Sequence, residues 1–219
     1  MGEALIVRRG GTGGGGGGSY TVTLTSLIPS GTETITYTGT ASGTVNIVNG
    51  TGSVLLPTGT YTFTSSDTVW TSGTVAVTGN TSINCWYGTP VYWYGNLLGC
   101  SWSSSSGTLT ISTNNISYVS GSYGTNRHAY SANTFDLTQF TSINCSCMYT
   151  GSSSYHAYLA YGTAANSGAS NRKQSVDSTA PGVIETLTLP MVNQTSAERI
   201  YLGNNANSTP SEFYAVWLN

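Results

Sequence analysis

Few side chains of this sequence could carry out acid–base chemistry. Hydrolysis of glycosidic bonds usually needs two carboxylates that face each other across a cleft. The candidate carboxylates occur singly and far apart in the chain: Glu33, Asp67, Asp136, Glu185, Glu198 and Glu212. Asp136 is expected to open a strand at a turn, and Glu185 to occupy an exposed edge position. The spacing therefore predicts no catalytic pair.

Nucleophilic catalysis by serine or cysteine would need a base, and the chain has 2 histidines. Arg127 and His128 lie among Gly, Ser, Tyr and Asn residues, which is typical of a loop. His156 stands beside Tyr155 on a predicted strand. The sequence has neither a Gly-x-Ser-x-Gly elbow nor a His-Glu-x-x-His motif. We therefore expect a protein that is not an enzyme and has no catalytic residue.

The cysteines are the candidate metal ligands: Cys85, Cys100, Cys145 and Cys147. Their number and spacing suit neither a zinc knuckle nor a disulfide scaffold. Ile143, Cys145 and Cys147 fall on one face of a strand, where small thiols would pack in a core. This interpretation is favoured over a metal site, so no metal and no cofactor is predicted. A Cys85–Cys100 bridge stays open, although reduced thiols are favoured.

Aromatic side chains are the more promising binding groups, because sugar rings stack on exposed Trp and Tyr while polar side chains bind the hydroxyls. The chain has 15 Tyr and 5 Trp, with clusters at residues 86–94 and 155–161. The candidate glycan-binding residues are Trp86, Tyr87, Trp93, Arg127, His128, Tyr155 and His156. For each of them, burial in a core or a subunit interface is the favoured alternative.

The composition excludes several classes of function. The 219 residues include 35 Thr, 31 Ser and 28 Gly, and only 6% are charged, against about 25% in an average domain. Six Lys and Arg and a net charge of −2 exclude nucleic-acid binding through phosphates. No apolar run is long enough to span a bilayer, and the short run at residues 4–7 precedes its basic residues, unlike a secretory signal. We expect a soluble, folded protein.

Two patterns define the domain organisation. Residues 10–18 contain eight Gly and one Thr, which indicates a flexible tether. From Ser19 to about Tyr87, apolar residues alternate with Thr, Ser or Asn in seven short runs separated by turn residues. Such strands predict an immunoglobulin-like or prealbumin-like antiparallel sandwich over residues 19–90.

Residues 91–219 predict a second sandwich, jelly-roll-like or galactose-binding-like, because about ten strands occur without helical periodicity. The candidate strands are 91–94, 108–112, 116–119, 135–138, 142–149, 155–161, 172–176, 183–189, 199–202 and 212–218. The last of these is apolar on both faces, which predicts burial on two sides. The predicted fold class is all-β: two antiparallel β-sandwiches behind a Gly-rich N-terminal peptide.

Several short motifs resemble known families. The segment Leu56-Pro-Thr-Gly-Thr-Tyr61 resembles a hairpin of small accessory sandwiches of the PEGA and carboxypeptidase-regulatory kind. The order Tyr94-Gly95-Asn96, Cys100, Trp102 and Phe135-Asp-Leu-Thr-Gln-Phe140 is similar to minor structural proteins of tailed bacteriophages that infect Gram-positive gut bacteria. The opening residues 3–10 resemble the leading segments of phage fibres and appendages.

The phage resemblance implies a protein of the virion, assembled in the host cytoplasm, whose N-terminal segment docks on the particle and whose sandwiches face outward. Residues 1–18 would be the docking peptide, with Leu5, Ile6 and Val7 wedged between virion subunits and Arg8 and Arg9 paired with acidic groups. No fibre shaft is predicted, so a compact head or tail appendage or decoration protein is implied.

The implied partners are other virion proteins of the capsid, neck or tail, further copies of the chain in a homo-oligomer, and a host-surface glycan. The alternative is a carbohydrate-binding module of a secreted or cell-surface protein.

Overall fold

The computed structural model describes residues 18–120, 127–151, 156–163, 172–205 and 209–219. These residues form eighteen β-strands and no helix, so the all-β fold class is confirmed. Nothing in the described ranges is a helix of the length and apolarity that crossing a membrane would require. Leu5, Ile6, Val7, Arg8 and Arg9 of the predicted docking peptide lie outside the described residues.

Seven strands form the first sheet: β1 (Ser19–Thr25), β2 (Thr32–Gly39), β3 (Gly43–Val48), β4 (Thr51–Pro57), β5 (Gly59–Ser65), β6 (Val75–Val77) and β7 (Thr81–Asn84). Their order is β6-β5-β2-β3-β4-β1-β7. Neighbouring strands are antiparallel, apart from the parallel pair β1 and β7. All seven predicted strands of this region are present.

Alternation of apolar and hydroxyl side chains explains the shape of this sheet. Val22 on β1, Ile47 on β3 and Phe63 on β5 belong to one buried cluster, while the Thr residues between them are half-buried or exposed. Because strands across the whole sheet supply one face to the same cluster, the sheet must curve around its core. The branched Cβ of Thr suits the pleat while its hydroxyl stays in water.

Eleven strands follow: β8 (Thr89–Trp93), β9 (Trp102–Ser104), β10 (Thr108–Ile111), β11 (Ile116–Val119), β12 (His128–Ser131), β13 (Ser142–Tyr149), β14 (Ala157–Gly162), β15 (Arg172–Asp177), β16 (Glu185–Pro190), β17 (Arg199–Asn204) and β18 (Pro210–Leu218). A six-stranded sheet has the order β10-β11-β18-β13-β16, with β8 also paired to β18. A five-stranded sheet has the order β15-β14-β17-β12-β9. A second apolar cluster draws its residues from both sheets.

The structure corrects three expectations about strands in this half. Residues 135–138 do not form a strand: Phe135 makes an isolated bridge with Glu198, and Asp136 accepts hydrogen bonds from the backbone and hydroxyl of Thr138 in a turn. Strands β9 and β12 were not predicted. Their Ser-rich and polar sequences lack apolar alternation, although β12 is paired on both sides, with β17 and β9. His128 therefore begins a strand and does not lie in a loop.

Strand β18 lies between the two apolar clusters. Phe213 and Val216 belong to the second cluster, whereas Ala215 and Trp217 belong to the first. The strand pairs with β13 along one edge and with β11 and β8 along the other. The prediction that this strand is buried on both faces is confirmed, and the strand joins the seven-stranded sheet to the rest of the molecule.

The cysteines are buried, free thiols in this structure. Cys145 and Cys147 lie in the second cluster, which confirms their predicted place in a core. Cys85 lies in the first cluster and Cys100 in the second, without a bridge between them. Burial raises the pKa of the Cys85 thiol to about 12 and that of Cys100 to about 11, so both stay protonated at neutral pH.

Candidate functional site

A cleft of about 420 Å³ lies where the seven-stranded sheet meets the six-stranded sheet. Two loops of the first sheet line one side, residues 28–32 between β1 and β2 and residues 66–69 after β5. Tyr94, Asn114, Ile184 and Tyr214 line the other side. Its volume falls within the usual range of small-molecule sites. We call it the junction cleft.

Two tyrosines form the aromatic wall of the junction cleft. The ring centroids of Tyr94 and Tyr214 are 6.0 Å apart and the ring planes are inclined by 33°. The Tyr94 hydroxyl accepts a hydrogen bond from the Val69 backbone N–H at 2.9 Å, and the Tyr214 hydroxyl donates one to Glu212. These bonds fix the orientation of both rings. Tyr94 is 8% exposed, so the half-buried Tyr214 is the ring more open to a ligand.

Both phenols stay neutral at physiological pH. Burial raises the pKa of Tyr94 to about 12. Burial, and then the hydrogen bond to the Glu212 carboxylate, raise the pKa of Tyr214 well above its ordinary value. The wall of the cleft is therefore uncharged.

The rim of the cleft is polar and carries one acidic group. Asp67 is exposed, and its Oδ2 accepts the Thr34 backbone N–H at 2.7 Å. Ser30, Thr32 and Asn114 add hydroxyl and amide groups to the lining. No Lys or Arg is among the described residues that line the cleft. The cleft can therefore offer hydrogen bonds and an apolar ring face, but no positive charge.

A buried carboxylate positions both loops of the cleft. Glu33 on β2 is 1% exposed and accepts hydrogen bonds from the hydroxyls of Ser26, Ser65 at 2.6 Å and Thr68 at 3.3 Å. The Ser65 hydroxyl in turn accepts the N–H groups of Asp67 and Thr68, each at 3.1 Å. The Ser26 hydroxyl likewise accepts the backbone N–H of Ile28, in the loop between β1 and β2, at 3.1 Å. Glu33 therefore acts as a positioning residue beneath the cleft.

The predicted junction aromatics lie beside the cleft, in or against the first core. Trp86 and Tyr87 are half-buried against the first cluster. Trp93 is fully buried, and its ring contacts Tyr87, Tyr94 and Trp217 at centroid distances of 5.8–6.1 Å. A ring without an exposed face cannot stack on a sugar, so the assignment of Trp93 to a glycan surface is wrong for this structure. Trp93 is a core residue.

The sequence indicates a junction region rich in aromatics, but Tyr94 and Tyr214, which line the cleft, were not among the candidate glycan-binding residues. Tyr94 falls in the segment that resembles phage structural proteins, and Tyr214 lies 120 positions further along the chain. Only the pairing of β8 with β18 brings the two rings together. The alternation of Tyr214 with the buried Phe213 and Ala215 indicates that its side chain lies on the other face of the strand. It does not predict that Tyr94 is its neighbour.

The second predicted cluster lies on the five-stranded sheet. His128 is fully buried, with its ring centroid 4.6 Å from that of Tyr201. The Tyr158 ring is buried: it packs against Gly203, where a Cβ would lie 2.1 Å from it, and the Arg172 guanidinium lies 4.7 Å from its centroid. The assignment of His128 to a glycan surface is therefore also wrong for this structure, because no part of its ring is accessible.

Two further predicted glycan-binding residues, Arg127 and His156, hydrogen-bond to other parts of the chain. The Arg127 side chain donates to the Ser106 hydroxyl at 2.7 Å, and its carbonyl accepts the Tyr158 hydroxyl at 2.8 Å. His156 is half-buried, and its backbone N–H donates to Asn205 at 2.6 Å. Tyr155 lies outside the described residues.

The described ranges contain four cationic side chains. Arg172, Lys173 and Arg199 lie on strands of the five-stranded sheet, and Arg127 directly precedes β12. Lys173 forms an ion pair with the buried Glu198, and the Arg199 guanidinium donates to the carbonyls of Ser131 and Ala132. These cations have structural contacts, and they do not line the junction cleft.

Comparisons with known proteins give distant likenesses only. No protein-family model matches the chain, and no curated protein is significantly similar to it. Two DUF3823 family proteins, from Bacteroides ovatus and Parabacteroides merdae, are 14% and 12% identical, with a TM-score of 0.28 for each. The chain is aligned over 90% and 92% of its length with 96% and 98% of theirs.

A third solved structure is the CBM22-1 xylan-binding domain of Xyn10C from Paenibacillus barcinonensis. It is 11% identical, has a TM-score of 0.30, and aligns 54% of this chain with 85% of its own. No function follows from likenesses at this level.

The carboxylates of the described residues are not paired across the junction cleft. Asp67 is the only carboxylate among the described residues that line the junction cleft. Glu185 is engaged in a local turn, where it accepts hydrogen bonds from the backbone and hydroxyl of Thr179 and from the N–H of Ala180. Within the described ranges, no group of three or more His, Cys, Asp or Glu could hold a metal ion. The cleft is better suited to binding than to acid–base chemistry.

Proposed function

We propose that this protein is a non-enzymatic structural component of a tailed-bacteriophage particle, an appendage or decoration of the head or tail whose outer part contacts host-surface glycans. The resemblance of residues 3–10 and 94–140 to such proteins supports the assignment. The finer architecture proposed with it is an immunoglobulin-like unit over residues 19–90 and a jelly-roll-like unit over residues 91–219. One curved sheet around one core, and two sheets around another, support these units.

One observation carries the proposal: Gly18, the described end of the N-terminal peptide, and the junction cleft lie at opposite ends of strand β1. At the start of β1, the Thr58 N–H donates to the Gly18 carbonyl at 3.2 Å. After β1 ends, the Leu27 carbonyl accepts the Asn96 side-chain amide at 2.8 Å. The 7 residues of β1 separate these two points, a span of about 20 Å. An anchor at residues 1–18 would therefore leave the cleft and the second unit facing outward.

The docking peptide is proposed to bind the particle through three kinds of residue: apolar, basic and Gly. Leu5, Ile6 and Val7 wedge between virion subunits of the capsid, neck or tail, while Arg8 and Arg9 pair with acidic groups there. The Gly-rich residues 10–18 thread a gap too narrow for side chains, because glycine has no Cβ. The low charge of the remaining surface suits a chain packed beside further copies of itself in a homo-oligomer.

Deleting residues 1–18 tests the docking proposal. The shortened chain is expected to fold, since strand β1 begins after the deletion, and to be at least about tenfold depleted from purified particles by quantitative mass spectrometry. A matched control replaces residues 10–18 with a run of Gly of the same length, which adds no side chain, and retains incorporation. Reversing the charges with Arg8→Glu and Arg9→Glu abolishes it. Incorporation of the deleted chain at normal occupancy would contradict the proposal.

The junction cleft also favours a second candidate function, a carbohydrate-binding module of a secreted or cell-surface protein. Such a module would bind its glycan equally well with and without residues 1–18. It would also be absent from particles, even when the full chain is produced during phage infection. Recovery of the full chain in purified virions decides against this alternative.

A further inference from the structure

We propose that the junction cleft binds an uncharged saccharide, with one sugar ring stacked on Tyr214 and its hydroxyls bonded to Asp67, Asn114 and the loop of residues 28–32. This inference rests on the adhesive part of the proposed function and assigns it a site and a ligand class. The site differs from the one predicted from the sequence, because none of the predicted glycan-binding residues that the structure describes lines it.

The lining of the cleft combines apolar ring faces with hydrogen-bonding groups, as the binding of a sugar ring requires. A pyranose has apolar C–H faces and a polar perimeter, so it fits an aromatic wall surrounded by hydrogen-bonding groups. Tyr214 supplies the more accessible part of the wall, and the Tyr94 ring lies beside it, with the ring centroids 6.0 Å apart. Ile184, which is 47% exposed, extends the apolar surface across the cleft. Because both tyrosine hydroxyls have protein partners, the rings offer a ligand mainly their faces and edges.

The rim retains hydrogen-bonding capacity for a ligand. The Thr34 N–H and the Ser66 hydroxyl both bond to Oδ2 of Asp67, so Oδ1 remains available as an acceptor. Among the described residues, the side chains of Asn114 and Ser30 have no hydrogen-bond partner. A carboxylate acceptor, an amide and a hydroxyl together match the mixed donors and acceptors of neighbouring sugar hydroxyls.

Charge selects an uncharged ligand over an acidic one. The described cations lie on the five-stranded sheet or just before β12, whereas Asp67 gives the cleft a negative charge. A uronic acid, sialic acid or phosphorylated sugar would bring a second negative charge close to Asp67 without a positive partner, which is unfavourable. The loops are already held by Glu33, so little ordering is needed when a ligand binds.

The test is a glycan array with the full-length chain, followed by titration of purified polysaccharides. The array carries neutral glucans, xylans, mannans and galactans, and polyuronides and sialylated glycans as the acidic contrast. Binding to at least one neutral class, and weaker binding to acidic glycans, is expected. Binding to acidic glycans alone, or to no glycan on the array, overturns the proposal.

Three substitutions connect binding to the cleft. Tyr214→Ala removes the stacking face and is expected to weaken binding at least about tenfold. Because Tyr214 lies in β18, its variant could be less stable. The exposed Asn114→Ala is therefore measured as well and is expected to weaken binding about threefold to tenfold while thermal stability is unchanged. Tyr20→Ala, the same substitution at the far end of β1, serves as the matched control and retains affinity.

The outcomes distinguish this inference from the docking proposal. If Tyr214→Ala and Asn114→Ala bind as well as the unaltered chain, or if Tyr20→Ala weakens binding equally, the cleft is not the site. Particle incorporation is measured on the same variants and is expected to stay normal. A chain that requires residues 1–18 for incorporation but binds no neutral glycan would leave the docking proposal standing and overturn this one.

Discussion

At the scale of single residues, His128 shows how a polar residue on a short strand can become a core residue. Its ring lies against Tyr201, and its Nδ1 is 3.5 Å from the Tyr158 hydroxyl, while its Nε2 has no partner among the described residues. Burial, and then the positive charge of Arg172, lower the pKa of His128 from 6.5 to about 4. The residue is therefore neutral in the folded protein at neutral pH.

This shift predicts a pH dependence of stability. Between pH 6.5 and pH 4 the unfolded chain binds a proton at His128 that the folded chain does not bind, so the free energy of unfolding falls as the pH falls through this window. The loss is on the order of 3 kcal/mol at the lower end. Melting temperatures measured from pH 7 to pH 4 should fall less steeply for His128→Gln. The control Ser82→Ala, on the exposed face of β7, should keep the original slope; equal slopes for all three chains would contradict the prediction.

Residue roles were the least predictable from the sequence. Trp93 and Tyr94 are adjacent and both aromatic, yet one is buried among three other rings and the other lines a cleft. Both rings belong to the first cluster, but Tyr94 follows the end of β8 with a φ of 41°, so its side chain does not continue the alternation of the strand. Glu33 was noted only as an isolated acid, because its partners Ser65 and Thr68 lie more than thirty positions away.

At the scale of elements, Glu33 connects β2 to the residues that follow β1 and β5. Replacing it with Ala leaves the Ser26 and Ser65 hydroxyls without their acceptor, and hydrogen bonds to a buried carboxylate are among the stronger ones. We expect Glu33→Ala to lower the free energy of unfolding by about 2–4 kcal/mol and to weaken glycan binding, because both cleft loops lose their support. Glu33→Gln, which retains an acceptor oxygen, should be affected less.

Chemical denaturation and the glycan titration measure these two effects. Asp136→Asn is the matched control: among the described residues, this exposed carboxylate accepts hydrogen bonds only from Thr138 in its own turn, so its loss should change stability by less than about 1 kcal/mol. If Glu33→Ala is no more destabilising than Asp136→Asn, then Glu33 does not hold the loops.

Strands could be predicted from the sequence where apolar and polar residues alternate along them. In all seven predicted runs of the first sheet, apolar residues lie two positions apart, and each run forms a strand; in β7 the second apolar residue, Cys85, directly follows the strand. Strand β12 has the sequence HAYS and is buried at three of its four positions, although only one of those residues is apolar. Its burial comes from pairing with β17 and β9, a contact between segments far apart in the chain. Patterns within a segment cannot reveal such a strand.

At the scale of the whole molecule, the seven-stranded and six-stranded sheets share apolar side chains. Trp93 from β8 and Ala215 and Trp217 from β18 belong to the cluster of the seven-stranded sheet, although their strands are part of the six-stranded sheet. A hydrophobic junction of this kind holds the two units in a fixed orientation, unlike a polar linker. A fixed orientation is also what the junction cleft requires, since its walls come from both units.

Sharing of the two cores predicts that the chain unfolds as one cooperative unit and that Trp93 is needed for this behaviour. Scanning calorimetry of the unaltered chain should show one transition, with equal calorimetric and van't Hoff enthalpies. Trp93→Ala should lower the free energy of unfolding by about 3–5 kcal/mol and divide unfolding into two transitions, because the ring fills the space between the two sheets.

Leu56→Ala is the control. It removes a buried side chain of the first core from β4, and it should lower the melting temperature while one transition remains. Two transitions in the unaltered chain, or the same single transition for both variants, would show that the units are joined in some other way.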